Sequence, residues 1–360
     1  MIRCRTCCLP NSKPDIYFDA SGQCSACISF AKRPTIDWES RGKELVALLD
    51  RFDGRVIVPS SGGKDSTYIA LRMKEMGADV TAVTATTCHL TPIGRANLDN
   101  LARHVRAIEV TPNMTVRAKL NRLGLSLVGD ISWPEHASIF SVPFRVAQQV
   151  GIGLLMYGEN PQAEYGGPMG SDEAREMTRR WTSEFGGFLG LRPSDFVGMQ
   201  GITERDMNDY RLPLSTNGIE AHFLGAYEPW DSRRNANLSA ANGFDLYAPH
   251  GTSPHCPTPA NWWAFENLDN AQTGIHDHLM FKKYGYGRGC AQISVDVRVG
   301  TVDRGSALKW VKRDDGLFPE TYVGVSIDRV LDRIGTTRPE LDEIIERFTN
   351  KELFSCSQAA

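Results

Sequence analysis

Between residues 37 and 165 the spacing of apolar positions alternates between two periods. DWESRGKELVALLDRFDG, starting at Asp37, places Leu45, Leu48, Leu49 and Phe52 on one face, and Gly54 follows, so it predicts an amphipathic helix. RVIVPS is a short, nearly continuous apolar run and predicts a strand, and STYIALRMKEMG predicts a helix ending at Gly77. ADVTAVTAT predicts a strand, IGRANLDNLARH a helix, RAIEVT a strand, IFSVPFRVAQQVG a helix and IGLLMYGEN a buried strand. Strand and helix in alternation, with the strands apolar throughout, predict an α/β fold: a parallel sheet covered on both faces.

Outside that stretch the pattern changes. Residues 1–34 are rich in Cys, Pro, Asp and Gly and have few periodic apolar positions, so they form a small module unable to build its own core. Residues 165–275 mix Gly, Pro, Trp and charge, with a helical stretch near SDEAREMTRRWTSEFGGFLG and a possible strand at AHFLGAY. From Thr301 the sequence is helical again, in DRGSALKWVKRDDG, SIDRVLDRIG and RPELDEIIERFT. The expected units are therefore a cysteine module (1–36), a nucleotide-binding α/β domain (37–165), an elaboration that completes the site (166–300) and a C-terminal helical segment (301–360).

Composition narrows the class. With 41% hydrophobic and 23% charged residues the chain can bury a sizeable core, and a net charge of −3 supplies no field for gripping a nucleic-acid backbone. No apolar run approaches the ~20 residues that cross a bilayer. The N-terminal MIRCRTCCLPNSKPD shows no secretory pattern. The expectation is a cytoplasmic protein with neither membrane nor nucleic acid as a partner. Disulfides are not expected there.

The junction PSSGGKDS between strand and helix is the first candidate site. Beyond the carboxyl end of a parallel strand, a helix N-terminus presents unpaired N–H groups. Gly62 and Gly63 permit a tight turn, Lys64 adds positive charge, and Ser60, Ser61 and Ser66 add donors, which together suit a phosphate. A Walker A loop would need Ser or Thr after the lysine, whereas Asp65 stands there. S-G-G-K-D-S instead resembles the pyrophosphate loop of the ATP pyrophosphatases. A connecting turn is the plain alternative.

The second candidate is Cys4-x2-Cys7-x16-Cys24-x2-Cys27, the two-knuckle spacing of a closed structural zinc site, with a redox pair or incidental thiols as the alternatives. A coreless module would need such a staple. Cys8, beside Cys7, leaves the second ligand open. Cys88, Cys256, Cys290 and Cys356 follow no recognised spacing.

The order of these parts resembles the N-acetyl sugar amidotransferases of bacterial surface-sugar pathways, including the pseudaminic and legionaminic acid branches. The resemblance also rests on CLPNSKPDIYFDASGQCSAC, TPIGRANLDNL, YGENPQAEYGG, EFGGFLGL, LGAYEPWDS and GIHDHLMFKKYGYGR, and runs from about Arg3 to about Phe348. It implies a Rossmann-like sheet of the adenine-nucleotide α-hydrolase type. It implies conversion of an N-acetyl to an acetamidino group: ATP adenylylates the amide oxygen, pyrophosphate leaves, and ammonia displaces AMP. It further implies MgATP, structural zinc, and ammonia delivered by a separate glutaminase subunit with a cyclase-like partner.

Carried onto this chain, the resemblance assigns Ser61, Gly62, Gly63, Lys64, Asp65 and Ser66 to the ATP phosphates. Gly158, Glu159 and Asn160 close a predicted strand and face the same crevice. Glu159 or Glu164 is a candidate magnesium ligand or sugar contact, with a loop-bracing carboxylate as the alternative, and Tyr165 beside them is a candidate sugar contact. Lys283 and Arg288 are candidate cations for the departing pyrophosphate, with a solvated surface role for each as the alternative. His276 and Asp277 are candidates for sugar binding or proton transfer, with a hydrogen-bonded structural histidine as the favoured alternative. Trp230 and Asp231, with Trp262 and Trp263, are a candidate sugar platform, with plain packing as the alternative.

The chain departs from the family in places. Ser132-Trp133-Pro134-Glu135-His136 stands where members often carry Cys-Trp-Pro-Cys-His, so those cysteines are not required here. His278, Met280 and Gly289-Cys290-Ala291-Gln292 also differ, which bears on the choice of sugar more than on the reaction. Two other readings share the same parts: a tRNA-thiolating enzyme, and a non-catalytic zinc-knuckle binding protein.

Overall fold

The computed structural model describes residues 1–247 and 258–354, so Cys256 and Cys356 lie outside the described residues. Five parallel strands form the central sheet: β1 (Arg55–Pro59), β2 (Asp79–Ala85), β3 (Arg106–Val110), β4 (Leu154–Tyr157) and β5 (Glu220–Phe223), in the order β3-β2-β1-β4-β5. Val56 pairs with Val80, Ala82 with Ala107, Ile57 with Leu155, and Leu154 with Glu220.

The helices in chain order are α1 (Ser25–Lys32), α2 (Trp38–Arg51), α3 (Lys64–Glu75), α4 (Pro92–His104), α5 (Met114–Val128), α6 (Trp133–Val150), α7 (Pro161–Tyr165), α8 (Arg179–Phe185), α9 (Ser232–Ala241), α10 (Thr273–Tyr284), α11 (Arg288–Val299), α12 (Arg304–Asp314), α13 (Ile327–Ile334), α14 (Arg338–Phe348) and α15 (Lys351–Phe354). A two-stranded antiparallel ribbon, β6 (Thr321–Tyr322) and β7 (Val325–Ser326), interrupts the C-terminal helices. None of the described helices is long and apolar enough to cross a membrane.

The apolar character of the strands follows from burial on two sides. Val56, Val58, Val80, Ala82, Leu154 and Met156 share one core with Leu45 and Leu49 of α2 and Ile69 and Met73 of α3. Ile57, Val83, Leu155 and Phe223 point the other way, into a core with Val142 and Val146 of α6 and Trp181 of α8. Period-two alternation thus feeds two apolar layers. Each such side chain contributes about 1.5–3 kcal/mol on leaving water. β3 closes one edge with Arg106 and Glu109 exposed, charges that oppose pairing with another sheet.

Several elements differ from the sequence expectations. The helix expected from 139 begins at Trp133, with Pro134 in its first turn. The helical stretch at 171–190 contracts to α8, capped by Thr178 and stopped by Gly186. Helix α5 was not apparent from the sequence. The fifth strand of the sheet lies at 220–223, beyond the boundary expected at 165, so the nucleotide domain and its elaboration share one sheet. The cysteine module packs on α11 and α12 through Tyr286, Ile293, Ala307 and Val311, and Arg304 Nε donates to the carbonyls of Cys4 and Cys7 at 3.1 and 3.0 Å.

The chain leaves β1 toward β2 and β3 and returns to β1's other side with β4. That reversal opens a crevice beyond the carboxyl ends of β1 and β4. Both sequence segments assigned to the nucleotide end there.

Candidate functional site

The loop after β1 is held by its own side chains. Ser60 N donates to Val83 O at 2.8 Å, Gly62 N donates to Ser60 Oγ at 3.1 Å, and Ser60 and Ser66 hydroxyls meet at 2.9 Å. Gly62 adopts φ +82°, and a Cβ there would come within 2.9 Å of Leu98, so two independent constraints require glycine. Gly63 precedes the first turn of α3, whose orphan N–H groups face the crevice.

Lys64 is 2% exposed. Its ammonium donates to Asp65, lies 3.1 Å from Glu266 Oε1, and sits 5.6 Å above the Phe265 ring. Burial alone would lower the Lys64 pKa, but Asp65, Glu266 and Glu159 outweigh it and keep the ammonium charged. Burial raises Asp65 against the pull of Lys64. Burial, reinforced by Asp65, lifts Glu159 to about 7. Glu266 is held below the ordinary carboxylate value, because Lys64 and Arg288 overcome its desolvation. Three carboxylates therefore surround one lysine, and the excess negative charge suits a divalent cation with oxygen ligands.

Two adjoining cavities share Ser61, Asn267, Asp269 and Arg288 along this crevice. One is lined by Val83, Thr84 and Ala85 at the end of β2 and by Leu98 of α4, an apolar slot of the kind a nucleoside fills. The other holds Gly63, Lys64, Asp65, Ser66, Gly158, Glu159, Tyr165 and Glu266. The residues present thus fit a nucleotide whose phosphates lie over the loop.

The structure gathers Ser61, Gly63, Lys64, Asp65, Ser66, Gly158, Glu159, Tyr165 and Arg288 at that cleft, with Gly62 in the same loop. The other sequence candidates are placed differently. Asn160 caps α7, accepting from Gln162 N and donating to Ser171 O. Glu164 pairs with Arg33. Trp230 is buried against Tyr68, and Asp231 caps α9 by accepting from the N–H groups of Arg233 and Arg234. Trp262 and Trp263 both donate to Asp296. Asp277 accepts from Arg288 at 2.7 and 2.9 Å, and so orients that guanidinium. His276 donates to Asp130 at 2.8 Å. Lys283 donates to Val128 O at 2.6 Å and rests on the Phe348 ring, away from the loop.

Sequence reasoning missed Glu266 and Asp269, which complete the cleft from WWAFENLDN. Asp269 sits beside Ser61, and burial lifts its carboxyl to about 6. The only signal was an acidic pair ahead of the GIHDH helix, too common a pattern to single out.

Cys4, Cys7, Cys24 and Cys27 converge with all ligand atoms within 4.8 Å of one another. Cys4 and Cys27 sulfurs lie 3.7 Å apart, and Cys7 and Cys24 sulfurs 3.6 Å, close to the about 3.8 Å edge of a tetrahedron with Zn–S bonds of about 2.3 Å. Backbone N–H groups of Thr6, Cys7 and Cys24 point at Cys4 Sγ, a donor set suited to thiolate. Cys8 turns away to Cys290, whose thiol donates to the Cys8 carbonyl, so Cys7 is the ligand. The residues fit zinc.

Residues 258–359 match a family model described as LPS biosynthesis protein WbpG-like, C-terminal domain, a similarity of the C-terminal part of the chain. No curated protein matches the chain. A solved structure of NMN synthetase from Francisella tularensis aligns at 17% identity over 60% of this chain and 100% of that chain, with a TM-score of 0.28. That likeness is too loose to carry an argument, and the α/β class rests on the sheet itself.

Proposed function

We propose that this chain is an ATP-dependent amidotransferase that converts the N-acetyl group of a bacterial surface sugar to an acetamidino group. The observation that carries the reading is the buried, charged Lys64, held by carboxylates in a glycine loop at the topological switch point. The match to the LPS-biosynthesis model supports a sugar as the acceptor.

In this reading the loop N–H groups and Lys64 bind the β and γ phosphates. Asp65 and Glu266 would hold magnesium, which would neutralise phosphate charge, and Glu159 would stay free of it. Arg288, fixed by Asp277, stands where the two cavities meet and stabilises charge as the amide oxygen attacks the α phosphorus and pyrophosphate leaves. Ammonia then attacks the imidate carbon and AMP departs with the former amide oxygen. Glu159, poised near neutrality, takes a proton from the attacking nitrogen. A separate glutaminase subunit with a cyclase-like partner supplies the ammonia.

The test is product analysis with MgATP, ammonium and a panel of N-acetylated nine-carbon and uronic sugars. AMP and pyrophosphate are expected only with ammonium and one sugar, whose mass changes by the exchange of O for NH. Formation of ADP, or of AMP only with tRNA and a sulfur donor, overturns the reading.

A further inference from the structure

Asp130 lies just beyond α5, buried to 3% exposure. Its Oδ1 accepts from Ser132 N and from His276 Nδ1, both at 2.8 Å, and its Oδ2 lies 3.4 Å from His136 Nδ1. The three side chains come from three places: the α5–α6 turn, the first turn of α6 and the first turn of α10. Each offers one ligand atom, and these atoms all lie within 4.8 Å of one another. The two imidazole rings meet edge to face at 5.3 Å.

Asp130 pairs with both histidines, and the pairing at His136 is incomplete. His136 Nδ1 is buried without a hydrogen-bond partner, although it faces the carboxylate. A Cβ on Gly187 would come within 2.7 Å of that nitrogen, so glycine keeps the space beside it clear. The N···O separations of 2.8 and 3.4 Å bracket the about 3.3 Å edge of a tetrahedron with bonds of about 2.0–2.1 Å.

We propose that Asp130, His136 and His276 form a second metal site, for a borderline divalent cation of the zinc type. Two imidazoles and one carboxylate disfavour magnesium and calcium. Three protein ligands leave a coordination position, and both histidines line cavities on either side, so an oxygen or nitrogen donor from those cavities can complete it. This contrasts with the closed four-cysteine set and does not depend on the amidotransferase reading.

The test is metal analysis of the full chain, equilibrated with zinc and freed of excess. One zinc more per chain is expected than the cysteine knuckle holds, and His136→Ala and His276→Ala should each lose that one. Cobalt added to the wild-type protein gives a second readout that needs no variant. Visible bands without a sulfur charge-transfer band are expected from this nitrogen–oxygen site. Equal zinc in wild type and both variants, or cobalt bands of sulfur type alone, overturns the proposal.

Discussion

The four-cysteine knuckle and the phosphate-loop cleft both cluster ionisable side chains, but one is closed and the other is unbalanced. In the knuckle the four sulfurs face one another, none more than 4% exposed, and the surrounding donors are backbone groups. In the cleft one lysine faces three carboxylates across a cavity, and two of those carboxylates are pushed up. A closed ligand set satisfies itself once a cation is present and so serves stability. An unbalanced set keeps charge in reserve for a ligand, as catalytic sites do.

The largest expected effect breaks the closed side. Cys24→Ala should remove one of four ligands from the candidate zinc cluster, which, with the core shared with α11 and α12, organises the module. Structural zinc contributes about 10–16 kcal/mol to comparable small modules. Limited proteolysis should cut the N-terminal module, and thermal melting should fall strongly. An unchanged melt would mean that the packing on Ile293 and Val311 suffices without the metal.

The next effect falls on the cleft. In the proposed reaction, Lys64→Ala should lower AMP formation on the order of 10²–10³-fold, the cost of losing one preorganised charge at a reacting centre. It also leaves Asp65 and Glu159 without their cation and Glu266 with Arg288 alone, so the unliganded protein should melt earlier. Adding Asp65→Asn should recover part of the melt but none of the turnover. Parallel recovery of both would make Lys64 a structural partner only.

How far these regions were legible in the sequence follows from the same contrast. Local patterns carried the strands, the loop and the knuckle, because period-two apolar runs, SGGKDS and paired Cys-x2-Cys encode them within short spans. Glu266, Asp269 and the Asp130–His136–His276 cluster were not legible as sites, since each depends on contacts between distant segments. β5 was only a possible strand, because four residues leave little period to read, and its place in the sheet comes from pairing with β4. Trp230 and Asp231 show the reverse problem: residue types suited to sugars fill a core and a helix cap instead.

Glu159 sharpens the comparison through pH. Its carboxyl is raised from an ordinary 4.5 to about 7, so the folded protein holds that proton more tightly than the unfolded chain does. The resulting stability is fully present below about 4.5 and is lost as pH rises through about 7. Glu159→Gln should remove this slope, an effect of roughly 3 kcal/mol at about 1.4 kcal/mol per pKa unit, seen in melts of the unliganded protein across that window. A slope of the same size in the variant would assign the proton to Asp65 or Asp269 instead.

The smallest effect concerns Lys283, which the family resemblance assigns to the phosphates. Here its ammonium donates to Val128 O near the end of α5, and its stem lies against Gly129 and Phe348 of α14. Burial lowers its pKa, while Asp130 pulls the other way, and no residue of the phosphate loop lines the cavity it borders. Lys283→Met should therefore change AMP formation by less than about threefold while costing about 1 kcal/mol of stability for the lost hydrogen bond. A hundredfold loss of turnover with an unchanged melt would show that the α10 end moves to the phosphates when the substrates bind. In that case the charge held in reserve at the cleft would include a cation that the unliganded fold stores against α5 and α14.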